Sequence, residues 1–326
     1  MTTYVGLDVF TRATAICVVD ESGEKLWEGQ RPTDPDTIAE ALRHHPPDLT
    51  RVGLETRLKT PWLWRELTER GVPVACLHTR HAKAALSLQM NKTDRNDALG
   101  LARLVRSGWY REVPVKALDT HRLRAVLFAR QQVVGMATGL VNKNRKTLRT
   151  FGIAVGSGKG AIFEAQVRRV LPSGDVALLG LIEAMLRAWR AVVDERMKLE
   201  RQLIVAAKHD TACRLLATAP GLGAVTAVAF VGAIEDPARF SRSKDVVAFL
   251  GLMPRRYQSG SVDATVRISK CGDKLVRKLL FEAAHVILIR TAAQLELKAW
   301  AERIAARSGH LTPQELAAEA ARKGCR

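Results

Sequence analysis

The order of elements in the first hundred residues limits the fold more than any other feature of the chain. Residues 3–9 and 13–20 have strand length and strand composition, with Phe10-Thr11-Arg12 as the connection between them. A third strand, Lys25-Leu26-Trp27-Glu28, follows the turn at Glu21-Ser22-Gly23, so the chain opens as an antiparallel meander. The pattern then switches. Residues 35–44 put Ile38, Ala39 and Leu42 on one helical face, and Arg51-Val52-Gly53-Leu54-Glu55 is a short buried strand. Pro61 to Glu69 is a helix with proline in its first turn, Val72 to Leu77 a strand, and His81 to Leu88 a helix. A further helix begins at Asp94. That order, βββαβαβαα, predicts a mixed sheet flanked by helices.

In such a sheet the first and fourth strands lie side by side and parallel. Asp8 then stands on the first and Glu55 ends the fourth, near the carboxyl ends where open α/β sheets place their sites. The helix over residues 94–105 brings Asp94 and Asp97, three apart and therefore on one face, with Thr93 as its N-cap. Either carboxylate alone is an ordinary helix-start acid, and Asp8 or Glu55 alone an ordinary strand-end residue. Four carboxylates from three distant segments converging on one spot repel one another, and a divalent cation relieves that. One or two Mg²⁺ ions, as in phosphoryl-transfer sites, are the expected occupants.

The net charge is +18 and the sequence pI about 10.2, which favours a polyanionic partner. Nucleic acid is the expected partner and a membrane is not, since no apolar run reaches the length of a span. The N-terminus enters a strand directly, without the pattern of a signal peptide. Cys17, Cys76, Cys213, Cys271 and Cys325 are far apart and form no C-x-x-C. Free thiols, no zinc site and a cytoplasmic location are expected.

After Pro114 the apolar residues recur at spacings of three, four and seven: Leu123, Leu127, Val134, Ala137, Val141 and Leu148. That is a coiled-coil-like seam, interrupted by Arg130 and Asn144. Its end carries Lys143, Arg145, Lys146 and Arg149, readable as a solvated face or as a surface that tracks phosphates. Residues 152–160 are glycine-rich, but Lys159 precedes Gly160, so the G-x-x-x-x-G-K-[ST] nucleotide loop is not met and a flexible link is expected. A second seam runs through Leu178, Ile182, Met185, Trp189, Val192, Arg196, Leu199 and Leu203. The two long helices pair with each other as a hairpin or with another subunit.

The last third begins with Leu215 to Thr226, two helices joined by Pro220-Gly221-Leu222-Gly223. Helix-hairpin-helix contact with a phosphate through Gly221 and Gly223, or a plain tight turn, both suit it. From Arg239 to Arg290 there are 11 Lys or Arg against 4 Asp or Glu, and Arg255, Arg256 and Lys270 flank a Ser-Gly pair. Ser259 on a turn, or Tyr257 beside it, is a candidate nucleophile whose pentacovalent phosphorus those cations would stabilise.

Gly6-Leu7-Asp8, Gly53-Leu54-Glu55 and the block Asn91-Lys92-Thr93-Asp94-Arg95-Asn96-Asp97-Ala98 together resemble the DEDD insertion-sequence transposases, the insertion sequence one-ten family also called bridge recombinases. The resemblance spans roughly residues 5–290 and includes P-R-x-x-x-S-G followed by I-S-K-x-G. It implies a RuvC-like, RNase H-type first domain, with Asp8, Glu55, Asp94 and Asp97 in the four metal-binding roles. It decides for Ser259 over Tyr257 as nucleophile. It implies a coiled coil that helps build an oligomer, from dimer to tetramer, and a structured guide RNA that pairs with donor and target DNA. The domains expected are 1–115 (RuvC-like), 116–207 (coiled coil with its glycine-rich link) and 208–326 (a mostly helical transposase domain carrying the serine). The chain departs from the family after the basic segment, where residues 314–322 form only a short helix with two Glu. Three rivals stand beside a Mg²⁺-dependent recombinase. They are a RuvC-like structure-selective endonuclease using metal-activated water, an actin-like or sugar-kinase ATPase, and a catalytically silent nucleic-acid-binding protein. The ATPase lacks its second phosphate hairpin.

Overall fold

The computed structural model describes residues 2–45, 48–87, 93–172, 174–260, 262–290 and 296–308. The chain forms two compact units, Met1–Ala117 and Leu118–Arg326. No helix among the described residues is long and apolar enough to cross a membrane.

In the first unit β1 (Thr2–Val9), β2 (Ala13–Val19) and β3 (Lys25–Pro32) form the meander, followed by α1 (Pro35–His44), β4 (Asp48–Glu55), α2 (Thr60–Glu69), β5 (Val74–Leu77), α3 (Thr79–Leu86) and α4 (Asp94–Ser107). The sheet order is β3-β2-β1-β4-β5, with β1–β2 and β2–β3 antiparallel and β1–β4 and β4–β5 parallel. This is the RNase H-type, RuvC-like arrangement. The period of two divides the residues between the faces. Val5, Leu7, Val9, Val52 and Leu54 pack with Ile38, Leu42, Leu63 and Leu67 of α1 and α2. Each such fully buried side chain contributes about 1.5–3 kcal/mol. The alternate residues face α4, whose Ala98 and Ala102 meet Ala15, Cys17 and Val19.

Several boundaries differ from the sequence reading, β4 starting at Asp48 and β5 at Val74 among them, and two of the shifts have a local reason. β3 extends to Pro32, in register with β2 through Ala13↔Pro32. α3 starts at Thr79, because the imidazole Nδ1 of His78 accepts from Arg80 N at 3.2 Å and caps the helix. Leu88, Asn91 and Lys92 lie outside the described residues, as does the expected helix over 314–322.

The second unit opens with α5 (Leu118–Thr150), α6 (Ala161–Val170) and α7 (Val176–His209). α5 and α7 pair within the chain. Leu148 clusters with Leu178, Ile182, Leu186 and Trp189, and Leu127 with Leu203, so the two run antiparallel. Arg130 pairs with Glu200 across them at 2.6 Å, and Asn144 is fully buried, its Nδ2 donating to Leu140 O. The two interruptions of the first seam are thus an ion pair and a helix-bonded amide. α8 (Thr211–Ala217) and α9 (Ala224–Ile234) flank the Pro-Gly turn, where Gly221 sits at φ 80. A Cβ on Gly221 would lie 2.7 Å from Ala283 O, so glycine is required twice over. α10 (Ser243–Phe249) follows.

Between α10 and the next helix, in the otherwise helical unit, stands a β-hairpin, β6 (Pro254–Ser259) paired antiparallel with β7 (Val262–Ile268). Ser259 faces Val262 in register, and Gly260 at φ 56 begins the reversal. Arg256 bonds Asp263 across the strands, a pair that period-two spacing on either side of the turn produces. α11 (Lys274–His285) and α12 (Glu296–Ser308) complete the unit, with Val276, Leu279 and Leu280 packed against Ala227 and Val228 of α9.

Candidate functional site

Glycine and acid are two residues apart in both Gly6-Leu7-Asp8 and Gly53-Leu54-Glu55, so each pair shares a face, the one that α4 covers. Gly6 and Gly53 are partners in the parallel register. A Cβ on Gly6 would stand 2.1 Å from Ala98 O and 2.4 Å from Ala102 N, and one on Gly53 2.1 Å from Val105 Cγ2. The missing side chains therefore let α4 lie directly on β1 and β4. That contact sets its first turn over the ends of the two strands. Thr93 Oγ1 accepts from Asn96 N at 3.2 Å and fixes where the turn begins.

Three of the four expected acids come together in buried surroundings: Asp8 is 1% exposed, Glu55 9% and Asp97 6%. Asp94 is exposed and sits at the rim, beside Thr93, Arg95 and Gln30. A cleft of about 420 Å³ opens next to Asp97 and Glu55, lined also by Arg57, Thr79, Lys83 and Ser87. Burial pushes the Asp8 carboxyl up to about 6, against the lowering effect of Arg57 and with the charges of Asp97, Asp94 and Glu55 adding to the rise. The other three acids therefore all act on Asp8 through space.

Arg57 is a residue the sequence reading passed over. Its Nη2 lies 2.8 Å from Glu55 Oε2 and 3.5 Å from Asp8 Oδ1, and its Nε donates to the same Glu55 oxygen at 2.9 Å. A cation two residues after a strand-end acid is the only sign of it in the sequence. Among the described residues no three Asp, Glu, His or Cys side chains close around one point tightly enough to hold a metal ion. Arg57 instead supplies positive charge to two of the acids. Asp8 Oδ2 is buried and has no hydrogen-bond partner. An all-carboxylate donor set with an orphaned buried oxygen suits a hard, oxygen-seeking divalent cation, and the fold itself implies one.

The remaining expected positions lie in the second unit. Ser259 and Arg255 are exposed on β6, and Tyr257, the other nucleophile considered, is 61% exposed on the same strand. Lys270 is exposed in the left-handed region at φ 54, its N–H donating to Gly251 O. The Arg256 guanidinium is engaged by Asp263. Lys143, Lys146 and Arg149 are exposed on α5, whereas Arg145 donates to Gly156 O at 2.8 Å and Gly158 O at 2.7 Å and lies over the Phe163 ring. Arg145 thus ties the glycine-rich link to the helix pair. Gly223 is the N-cap of α9, and a Cβ there would meet nothing within 4 Å.

Residues 5–153 match a DEDD transposase family of the IS110 type, and residues 213–299 match the Transposase IS116/IS110/IS902 family. The transposase for insertion sequence element IS1111A of Coxiella burnetii is 26% identical over 315 residues, covering 94% of this chain and 83% of that one. A pilin gene-inverting protein of Moraxella bovis is 38% identical over 74 residues, 22% of this chain and 23% of its own. A Thermus thermophilus RuvC structure aligns with 34% of this chain and 99% of its own at 18% identity and a TM-score of 0.26. With family matches over both units, the chain belongs to the IS110-type DEDD insertion-sequence transposases.

Proposed function

We propose that this transposase cuts and rejoins DNA through a phosphoserine intermediate, with Ser259 as nucleophile and Asp8, Glu55, Asp94 and Asp97 as the residues that hold Mg²⁺. The observation that carries the reading is the buried meeting of Asp8, Glu55 and Asp97, with an unsatisfied oxygen on Asp8. Bound Mg²⁺ would neutralise charge at the scissile phosphate and favour the ionised form of the attacking oxygen. Ser259 Oγ attacks phosphorus and gives up its proton. The Oγ–P bond forms, the P–O3′ bond breaks, and the departing 3′-oxygen takes up a proton. A 3′-hydroxyl of another strand then attacks the phosphoserine, releasing the serine and sealing the new junction. Arg255 and Lys270, both exposed, are the cations offered to the phosphate.

The partners in this reading are donor and target DNA and a structured guide RNA. The net charge of +18 and the exposed Lys143, Lys146 and Arg149 on α5 support nucleic-acid binding. Assembly into a dimer or tetramer would cover apolar side chains left exposed on α5 and α7, among them Phe128, Met136, Ile204 and Val205.

The test is a nicked or phosphorothiolate DNA substrate that traps the attack. Wild type gives a covalent protein–DNA adduct, and Ser259→Ala gives none while binding DNA unchanged. An adduct that survives in Ser259→Ala removes the serine. A free 5′-phosphate product without any adduct favours the alternative, a RuvC-like endonuclease working through water.

A further inference from the structure

Arg57 has a second neighbour. Its guanidinium carbon lies 5.3 Å from the centre of the Phe10 ring, in the connection after β1. Phe10 is 40% exposed. Two residues further along, Lys59 donates to Thr11 O at 2.6 Å, and its ammonium stands 5.9 Å from the ring of Trp62, 38% exposed on the first turn of α2. Leu58 between them is fully exposed. Val9, Phe10, Thr11, Arg57, Leu58 and Lys59 surround a shallow depression of about 430 Å³. Trp64, two residues on, shows the contrast: its indole N–H donates to Val74 O and holds α2 to β5. Trp62 has no such work in the core. Two aromatic faces, each beside a cation, are thus presented at the edge of a site that handles phosphates, and Arg57 belongs to both.

We propose that this rim is a stacking shelf for an unpaired nucleotide of the DNA strand whose phosphate lies at the acidic residues, with Phe10 and Trp62 as the stacking faces and Arg57 and Lys59 as the partners of the flanking phosphates. A duplex hides its base faces, so aromatic rings exposed among basic residues serve single strands, while the cations alone serve either form. The shelf makes the first unit select a strand that has been opened or flipped, and it fixes that strand's register over the acids. The inference rests on the acidic site being where DNA is cut.

Fluorescence anisotropy of the full chain with single-stranded and duplex DNA of the same length, in EDTA, tests it. Phe10→Ala and Trp62→Ala each lower single-strand affinity by about 5- to 150-fold, the range for loss of one base–aromatic stack, and change duplex affinity by less than about 2-fold. Phe10→Leu, which keeps apolar bulk under Arg57 and loses the aromatic face, also loses the preference, and Phe10→Tyr keeps it. Trp109→Ala, 76% exposed on the segment after α4, changes neither. Equal losses on both DNA forms, or no loss in Phe10→Leu and Trp62→Ala, overturn the shelf. The readout does not pass through Ser259. A chain that forms no adduct yet loses its single-strand preference in Phe10→Ala refutes the catalytic reading alone, and an adduct-forming chain whose preference survives both substitutions refutes the shelf alone.

Discussion

Replacing Asp8 by asparagine should stabilise the first unit, whatever it does to the chemistry proposed there. Asp8 is 1% exposed, and burial pushes its carboxyl up to about 6 from an ordinary value of 3.8. The folded chain therefore holds this proton more tightly than the unfolded chain. Between about pH 4 and 6 each rise in pH lowers stability through this group, and above about 6 the full penalty remains. With one pKa unit equal to about 1.4 kcal/mol, the ionised carboxylate costs on the order of 3 kcal/mol. That figure already contains the compensation from Arg57. Asparagine keeps the shape and removes the charge. Allowing for an amide imperfectly paired in the same place, a gain of about 2 kcal/mol is expected in EDTA at pH 7.5. For a unit of this size that raises the melting temperature by roughly 5–10 °C. Melting followed by circular dichroism, wild type against Asp8→Asn, reads it. The difference between the two shrinks toward zero near pH 4, and millimolar Mg²⁺ raises wild type but not the variant. A variant that is no more stable than wild type at pH 7.5, or an advantage that grows as pH falls, refutes the argument that a buried, underpaired carboxylate was selected here for binding rather than folding.

Arg57→Gln removes the cation that now contacts Glu55 and Asp8; Coulomb attraction of about 4 kcal/mol per close pair, cut to a net 1–2 by solvent at a partly exposed guanidinium, predicts Mn²⁺ binding about 5- to 30-fold tighter by titration followed with electron paramagnetic resonance, and weaker binding would show that Arg57 builds the site rather than competing for it. Gly6→Ala drives a methyl into the backbone of α4 and should cost more than about 3 kcal/mol, leaving little soluble folded protein, whereas Gly135→Ala in the middle of α5, where a Cβ meets nothing within 4 Å, should stabilise by about 0.5–1 kcal/mol in a denaturant titration. Among the described cysteines, Cys17, Cys76 and Cys213 are buried, with thiols pushed up to about 11, 12 and 12 by burial. Mass spectrometry after brief alkylation at pH 8 should find those three unlabelled in the native chain and labelled in denaturant, with Cys271, partly exposed, labelled first.

The sheet was legible because its signals are local and periodic. Strand-length apolar runs, the turn at Glu21-Ser22-Gly23 and proline at the start of α2 each act within a few residues, and the order of elements then leaves few ways to build one sheet. The burial of Leu7 and Leu54 opposite Asp8 and Glu55 follows from the same period of two. What escaped was decided by contacts that sequence distance hides. Arg145 and Arg256 look like free phosphate ligands in a basic run, yet one is held by two carbonyls of the following link and the other by Asp263 across a hairpin. The hairpin itself was masked because β6, Pro-Arg-Arg-Tyr-Gln-Ser, is exposed from Arg255 onward, so no apolar alternation marks the pleat. Arg57 was missed because its partners belong to two strands, β1 and β4, that meet only after folding.

The glycines of the two motifs connect these levels. Gly6 and Gly53 are buried beneath α4, and nothing in their chemistry concerns phosphate. Their role is to be absent where α4 must pass. A sheet whose central strands carried side chains at those two positions would hold the helix off by the depth of a methyl or more. Asp97 would then be lifted from Asp8 and Glu55, and the shared burial that raises the Asp8 carboxyl would be diluted by water. The tension measured by the Asp8→Asn melting experiment should therefore fall in any variant that loosens α4 without unfolding it. Thr93→Ala is such a variant, since it removes only the cap that holds the helix start. It should cost about 0.5–2 kcal/mol in a wild-type background. In an Asp8→Asn background the cost should be larger, because wild type regains part of it as water reaches the ionised Asp8, and the double-mutant cycle reads that coupling. Strict additivity of the two substitutions would mean that the first turn of α4 and the buried acid act independently, and that the close approach at the glycines serves packing alone.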